Sequence, residues 1–356
     1  MRHIKLVLLF ALVANTILAT AANPKIKNVI FMIGDGMGLA QIYSGMTASS
    51  EPLSLEQFSY IGISKTYSAD NYITDSAAGG TALACGEKTN NGMIGVAPDG
   101  SAIYSTLHVL AQHGWATGVI ATSSITDATP ASFVAHQPSR KMHEEIAADF
   151  LKNTPDVFIG GGRKYFDQRK DGRNLLSELR GKGYEVVSDI QEMKNATSSK
   201  LTALLAEDGM PSALNGRGDM LAEATEKAIN ILKNNKKGFF LMVEGSQIDW
   251  QAHANNKDGV IAEMKDFDKA IAEALEFARQ DGQTLVIVTA DHETGGMVLR
   301  GGSINDHYVD AGFMLSGHSA LPVMVFAYGP GAENFAEIMQ NTSMKGKILD
   351  LLKIQK

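Results

Sequence analysis

Six short apolar runs rich in Val and Ile punctuate the chain, at Asn28–Ile33, Ala116–Ala121, Val157–Ile159, Phe239–Val243, Thr284–Thr289 and Val323–Ala327. Continuous apolarity without alternation is the pattern of strands buried on both faces, as in a parallel sheet. Between these runs, helical patterns cover Ser105–His113, Lys141–Leu151, Asp219–Lys233 and Ile261–Ala278. Strand alternating with helix predicts an α/β fold, a doubly wound, mostly parallel central sheet with helices on both faces. Residues 163–215 are polar and irregularly patterned, which predicts a small peripheral insertion. No repeat, low-complexity tract or linker divides the chain, so a single catalytic unit over residues 22–356 is expected.

The first residues change the picture of where this domain works. Arg2 and Lys5 precede an apolar stretch from Leu6 to Leu18, and Ala19-Thr20-Ala21 is a small-x-small cleavage pattern. This is the layout of a secretory signal over residues 1–21, too short to span a bilayer comfortably, and it predicts export to the periplasm or medium. Removing its two basic residues takes the net charge from −7 to −9. Such a balance argues against non-specific nucleic-acid binding but not against an anionic substrate, because a metal sets the field at its own site. Cys85 is the single cysteine, so no intramolecular disulfide is possible, and its apolar surroundings predict a buried, inert thiol.

Candidate chemistry begins at Tyr72–Ala82, where Ser76 opens a helix of small residues. Helix N-termini favour anions, and Ala77, Ala78, Gly79 and Gly80 leave the approach to the hydroxyl open. Thr74 and Ala78 occupy the glycine positions of a nucleophile elbow, which excludes that motif, and Thr74-Asp75-Ser76 alone also fits an ordinary N-cap. A serine nucleophile here needs activation from elsewhere. Asp35, Glu244 and the pair Asp291 and His292 each follow a predicted strand, and ligands in open α/β sheets bind beyond the carboxyl ends of strands. Asp249 and His253 are four apart and share a helix face, which suits a divalent cation such as zinc, with a surface pair as the alternative. His318 sits between Gly317 and Ser319. Asp127 and Thr129 offer hard oxygens of the kind magnesium takes, and Arg140 could grip phosphate through two nitrogens. His136 reads as structural, while His108, His113, His143 and His307 have no motif context. Gly34–Gly38 and Gly160–Gly162 both fail the spacing of a dinucleotide fingerprint.

Taken in order, Gly34-Asp35-Gly36-Met37-Gly38, Thr74-Asp75-Ser76-Ala77, Lys88-Thr89-Asn90-Asn91-Gly92, Asp127-Ala128-Thr129-Pro130, Glu244-Gly245 with Asp249 and His253, Asp291-His292-Glu293 and Gly317-His318 resemble the bacterial alkaline phosphatases. The resemblance covers most of the mature chain, and the short length is most similar to the Vibrio and cold-adapted marine or Antarctic enzymes. It implies hydrolysis of phosphate monoesters through a phosphoserine on Ser76. It also implies two Zn2+ and one Mg2+ per subunit: Asp249, His253 and His318 on one zinc, Asp35, Asp291 and His292 on the other. Asp35, Thr129 and Glu244 would hold magnesium, with Asp127 reaching it through water, and Arg140 would clamp two phosphate oxygens. A homodimer is implied as well.

Two departures stand out. The best-known enteric member has a lysine directly after the zinc-ligating aspartate, a cation that contacts phosphate through water; this chain has Trp250, another substrate-binding candidate. No large insertion lies between Thr294 and Gly317, which predicts a relatively open site. Sulfatases of the superfold need Pro-x-Arg after the modified residue, whereas Ala77-Ala78-Gly79 follows Ser76. Phosphodiesterases commonly carry a threonine nucleophile without the Arg140-type clamp, so diester hydrolysis remains the alternative activity.

Overall fold

The computed structural model describes residues 25–354; the leader predicted over 1–21 lies outside them. Ten strands form one sheet: β1 (Asn28–Gly34), β2 (Tyr60–Lys65), β3 (Ala116–Ser124), β4 (Val157–Gly161), β5 (Glu185–Val187), β6 (Leu201–Leu204), β7 (Phe239–Gly245), β8 (Thr284–Thr289), β9 (Val323–Tyr328) and β10 (Ile338–Gln340). Their order is β10-β2-β9-β8-β1-β7-β3-β4-β6-β5. The core lies on both faces. Val29, Phe31 and Ile33 of β1 pack into one apolar cluster, and Ile30 and Met32 pack into the other. Alternate side chains of a strand point to opposite faces, so a strand covered by helices on both sides must be apolar throughout.

All six predicted strands form, with boundaries extended by up to three residues. β5, β6 and β10 escaped the pattern because they are three or four residues long, and β2 because its exposed positions interrupt any buried run. One expectation is corrected. The apolar run Val323–Ala327 predicts another parallel strand, but β9 runs antiparallel to β8 and β2. After β8 the chain stays at one edge of the sheet through the hairpin Met297–Ser303/Tyr308–Phe313 and His318. No crossover helix carries it back, so β9 starts where β8 ends and must run the other way.

Register brings the candidate residues together. Ile33 of β1 pairs with Glu244 of β7 and with Thr289 of β8, and Ala121 of β3 also pairs with Glu244. Asp35, Glu244 and Asp291 therefore emerge side by side at the carboxyl end of the central strands. Residues 163–215 supply β5 and β6, which widen the sheet beyond β4. The far end of that segment is fastened to the long helix Lys257–Asp281. Ala213 donates its amide to Glu263 Oε1 at 2.8 Å, and buried Arg217 pairs with Glu263 and, at 2.8 Å, with Asp266. Among the described residues no helix is long and apolar enough to cross a membrane. Cys85 is buried as expected, and burial pushes its thiol up to about 12.

The Arg217 clasp yields a test of how the edge segment is held. The Arg217 side chain is inaccessible to solvent, so Arg217→Met strands two buried carboxylates without their counter-charge. Loss of one partner from a buried ion pair costs about 3–5 kcal/mol. Urea unfolding of this variant is expected to show a loss of that size, and a loss below about 1 kcal/mol would mean that the clasp is dispensable.

Candidate active site

Ser76 is the first residue of helix α1 (Ser76–Cys85) and is 3% exposed. Its neighbour Asp75 is the N-cap, its Oδ1 accepting from Ala78 N–H at 3.0 Å. Asp75 Oδ2 accepts from Gly92 N–H at 3.0 Å and from Arg140 at 3.2 Å, and Asn91 Oδ1 accepts from the Asp75 amide at 3.1 Å. The cap reading and the nucleophile reading of Thr74-Asp75-Ser76 thus coexist, Asp75 capping while Ser76 is left free to react. Small residues let the helix sit close: a Cβ on Gly79 would lie 3.1 Å from Asp291 Cβ, and one on Gly80 3.3 Å from Thr129 Cα.

Two donor clusters lie near Ser76, joined through His292. The inner one comprises Asp35, Asp291 and His292, all buried. His292 Nε2 lies 3.2 Å from Ser76 Oγ, 3.2 Å from Asp291 Oδ2 and 3.4 Å from Asp35 Oδ1. The outer one comprises Asp249, His253 and His318. His253 Nε2 is 3.1 Å from His318 Nε2 and 3.3 Å from Asp249 Oδ1, and His318 Nε2 is 3.6 Å from that same oxygen. Asp249 and His253 lie on helix α2 (Gln247–His253), four residues apart as predicted. His292 stacks on His318 with ring centroids 3.5 Å apart and also lies within ligand distance of Asp249, so it joins the two clusters.

The unassigned faces of the imidazoles identify what belongs between them. His253 Nδ1 lies 2.6 Å from the Ser316 carbonyl and His318 Nδ1 2.8 Å from the Thr74 carbonyl. A carbonyl only accepts, so each Nδ1 carries a proton, and in the neutral ring each Nε2 then presents a lone pair. Two lone pairs then face each other across 3.1 Å. His292 is similar: its Nδ1 meets Thr294 Oγ1 at 3.2 Å, and Thr294 donates its own proton to Asp249. Asp35 Oδ1 and Asp291 Oδ2 are buried without a hydrogen-bond partner among the described residues. Burial, then Asp291, Asp249 and Glu244, push the Asp35 carboxyl well above its ordinary range, and burial raises that of Asp291. Burial, then His318, holds His292 well below its ordinary range and therefore neutral. Converging lone pairs and buried carboxylates fit divalent cations, with mixed nitrogen and oxygen donors suited to zinc.

A third, oxygen-only group adjoins the inner cluster. Thr129 Oγ1 is 3.5 Å from Asp35 Oδ2, and Glu244 is buried beside them. Glu244 Oε2 accepts from Ser246 at 2.6 Å and Ser123 at 3.3 Å, yet burial still pushes its carboxyl up to about 8. Asp127 caps the short turn Ala128–Ala131 and lies 3.2 Å from Arg140. Arg140 thus spans Asp75 and Asp127, and burial opposes its charge, but Asp127, Asp75 and Asp35 outweigh that and hold it protonated. Trp250, 37% exposed, stands apart from the clusters and lines a groove with Asp127 and Arg140. Asp75 was legible only as a cap; its hold on Arg140, and the hydroxyls of Thr294, Ser123 and Ser246 that support Asp249 and Glu244, were not, because single hydroxyls carry no spacing signature and most of these partners lie far apart in sequence. Gln41 and Glu293 form a similar support, with Gln41 Nε2 donating to Glu293 Oε1 at 3.0 Å.

Comparison with known proteins gives a concordant result. A family model described as Alkaline phosphatase matches residues 26–310. Alkaline phosphatase 4 of Bacillus subtilis is 44% identical over 292 residues, covering 77% of this chain and 63% of that protein, so the chain spans about two thirds or less of that relative's length. The alkaline phosphatase of Escherichia coli is 32% identical over 396 residues, covering 89% of this chain and 84% of that protein. Among solved structures, alkaline phosphatase from the Antarctic bacterium TAB5 superposes with a TM-score of 0.89 at 45% identity, covering 94% of this chain and 99% of that one. A histidine-to-aspartate variant of the TAB5 enzyme has Mg bound in its M3 site.

Gly36 offers a test of how tightly the site is built. It has φ +69°, and a Cβ there would lie 2.8 Å from Thr294 Oγ1 and 2.9 Å from Asp249 Cα. Gly36→Ala combines a left-handed backbone with contact against backbone that cannot yield. The variant is expected to lose about 2 kcal/mol or more in chemical unfolding and most of its bound metal by elemental analysis. Retention of both would show that the Gly36 turn has slack.

Proposed function

The chain belongs to the alkaline phosphatase family, and from that membership we propose that it hydrolyses phosphate monoesters to an alcohol and inorganic phosphate through a phosphoserine on Ser76. The observation that carries the reading is the position of Ser76 Oγ at a helix N-terminus, 3.2 Å from Nε2 of His292, the imidazole shared by the two donor clusters. Asp249, His253 and His318 would hold one Zn2+, and Asp35, Asp291 and His292 a second. Asp35, Thr129 and Glu244 would hold Mg2+, with Asp127 acting through water. Cations bound there lower the pKa of the serine hydroxyl and of water and offset charge on the departing oxygen.

The chain's own groups then divide the work. Ser76 Oγ forms a bond to phosphorus as the bond to the alcohol oxygen breaks, and the alcohol leaves with that electron pair and takes up a proton. In the second displacement a water oxygen bonds to phosphorus, the P–Oγ bond breaks and Ser76 is restored. Two in-line inversions give net retention at phosphorus. Arg140 is anchored through two nitrogens to Asp75 and Asp127, and its remaining N–H donors are available for two non-bridging oxygens. The first amides of α1 add their partial positive charge. The same premise supports a homodimer, export to the periplasm or medium by a leader over residues 1–21, and a single catalytic unit over 22–356 with 163–215 as its peripheral insertion.

The deciding assay compares p-nitrophenyl phosphate with bis-p-nitrophenyl phosphate, before and after chelation and with zinc and magnesium restored. Strong monoester preference is expected, with Ser76→Ala slower by about a thousandfold or more while still binding zinc. Diester preference, or activity indifferent to Ser76, would move the chain to a diesterase reading. Trp250 supplies a second test. Introducing a cation beside the phosphate site by Trp250→Lys is expected to tighten inhibition by inorganic phosphate about fivefold; unchanged inhibition would show that position 250 lies out of reach of the product.

A further inference from the structure

We propose that the groove beside Arg140 is a leaving-group subsite for flat rings, so that the enzyme favours phosphate monoesters of nucleosides over those of small aliphatic alcohols. The inference rests on the phosphomonoesterase reading and names the substrate class within it.

The groove encloses about 520 Å³ and shares Asp127 and Arg140 with the phosphate end of the site. Cavities of roughly 300–1,000 Å³ take ligands the size of a nucleoside. Trp250 lines it, and so does His143, which stacks on Tyr165 with centroids 4.5 Å apart and planes 16° apart; Lys164 Nζ lies 4.9 Å from the Tyr165 centroid, so Tyr165 backs His143 rather than offering a face of its own. Both aromatic features are held in place. The end of the indole lies where a Cβ on Gly209 would be, 2.6 Å from Trp250 Cη2. His143 Nδ1 is 3.0 Å from Thr126 Oγ1, which in turn lies 2.8 Å from Ser124 Oγ. Aromatic groups held rigidly on the walls of one cavity can stack on a planar ligand at little cost in side-chain entropy. Lys141 and Ser124 line the same cavity and add polar partners for a sugar. Lys141, His143 and Tyr165 also line an adjoining cavity of about 620 Å³, so a ligand longer than the first cavity has room to continue. His143 had no motif context in the sequence, and its partner Tyr165 comes from the segment that widens the sheet; only the fold sets them beside Arg140.

The test compares kcat/KM for a nucleoside 5′-monophosphate and for glycerol 3-phosphate, using the metal-loaded enzyme. Both substrates release a primary alcohol, so their intrinsic chemistry is matched and the ratio reports leaving-group binding. Wild type is expected to prefer the nucleotide by about tenfold, the factor that 1.4 kcal/mol represents. Tyr165→Ala and His143→Ala are expected to remove most of that preference while glycerol phosphate hydrolysis stays within about twofold of wild type. If either variant fails to fold, Gly209→Ala provides the check, because its methyl group displaces the indole and is expected to lower the same ratio. A wild-type ratio near one, or an equal fall on both substrates in the variants, would overturn the subsite and leave the phosphatase reading standing. Failure of wild type to hydrolyse either monoester would instead overturn the phosphatase reading, and the subsite with it.

Discussion

Like charges brought together out of water are the constraint on which the rest of this structure depends. Asp35, Glu244, Asp249 and Asp291 are all buried at one end of the sheet, and burial with mutual repulsion pushes Asp35 well above its ordinary range. Such a cluster is unfavourable unless cations share it. The imidazoles point the same way, since backbone carbonyls take the Nδ1 protons of His253 and His318 and turn their Nε2 lone pairs toward each other. A chain folded in this manner concentrates its unsatisfied electrostatics at the carboxyl end of the central strands, where cations would relieve it. Metal binding and the integrity of the site are therefore one equilibrium.

The surrounding residues make that arrangement geometrically possible. The parallel register of β1, β7 and β8 delivers three carboxylates to one edge without any of them being adjacent in sequence. Gly36, Gly79 and Gly80 let backbone and helix approach where a side chain would collide. Asp75 links three needs at once: it caps the helix that presents Ser76, accepts from Gly92 and anchors Arg140. Positioning of this kind reduces the reorganisation needed when charge develops during reaction.

Residues 163–215 show how an edge of the sheet contributes to the site. The segment widens the sheet, is fastened by Arg217 to Glu263 and Asp266, and brings Tyr165 and Gly209 to the groove that Trp250 lines. Gln247, on the helix that carries Asp249, donates to Met210 O at 2.8 Å and to Thr122 O at 3.0 Å, which ties the segment to the outer donor cluster. The donor clusters and the groove that Trp250 lines are thus parts of one packed unit.

The sequence by itself determined the α/β class, because six buried strands on a doubly covered sheet must be continuously apolar. It also determined Asp249 and His253 as a pair, because helical periodicity places residues four apart on one face. Ser76 at a helix start, and carboxylates after strands, were legible for the same local reason. Only the tertiary structure decided the rest. The reversed direction of β9 follows from the absence of a crossover after β8, and no local pattern in Val323–Ala327 carries strand direction. The partnership of His253 with His318, of Arg140 with Asp75 and Asp127, and of His143 with Tyr165 joins residues from separate elements. Periodicity records which face a residue takes; it holds no information about what lies across the space that face encloses.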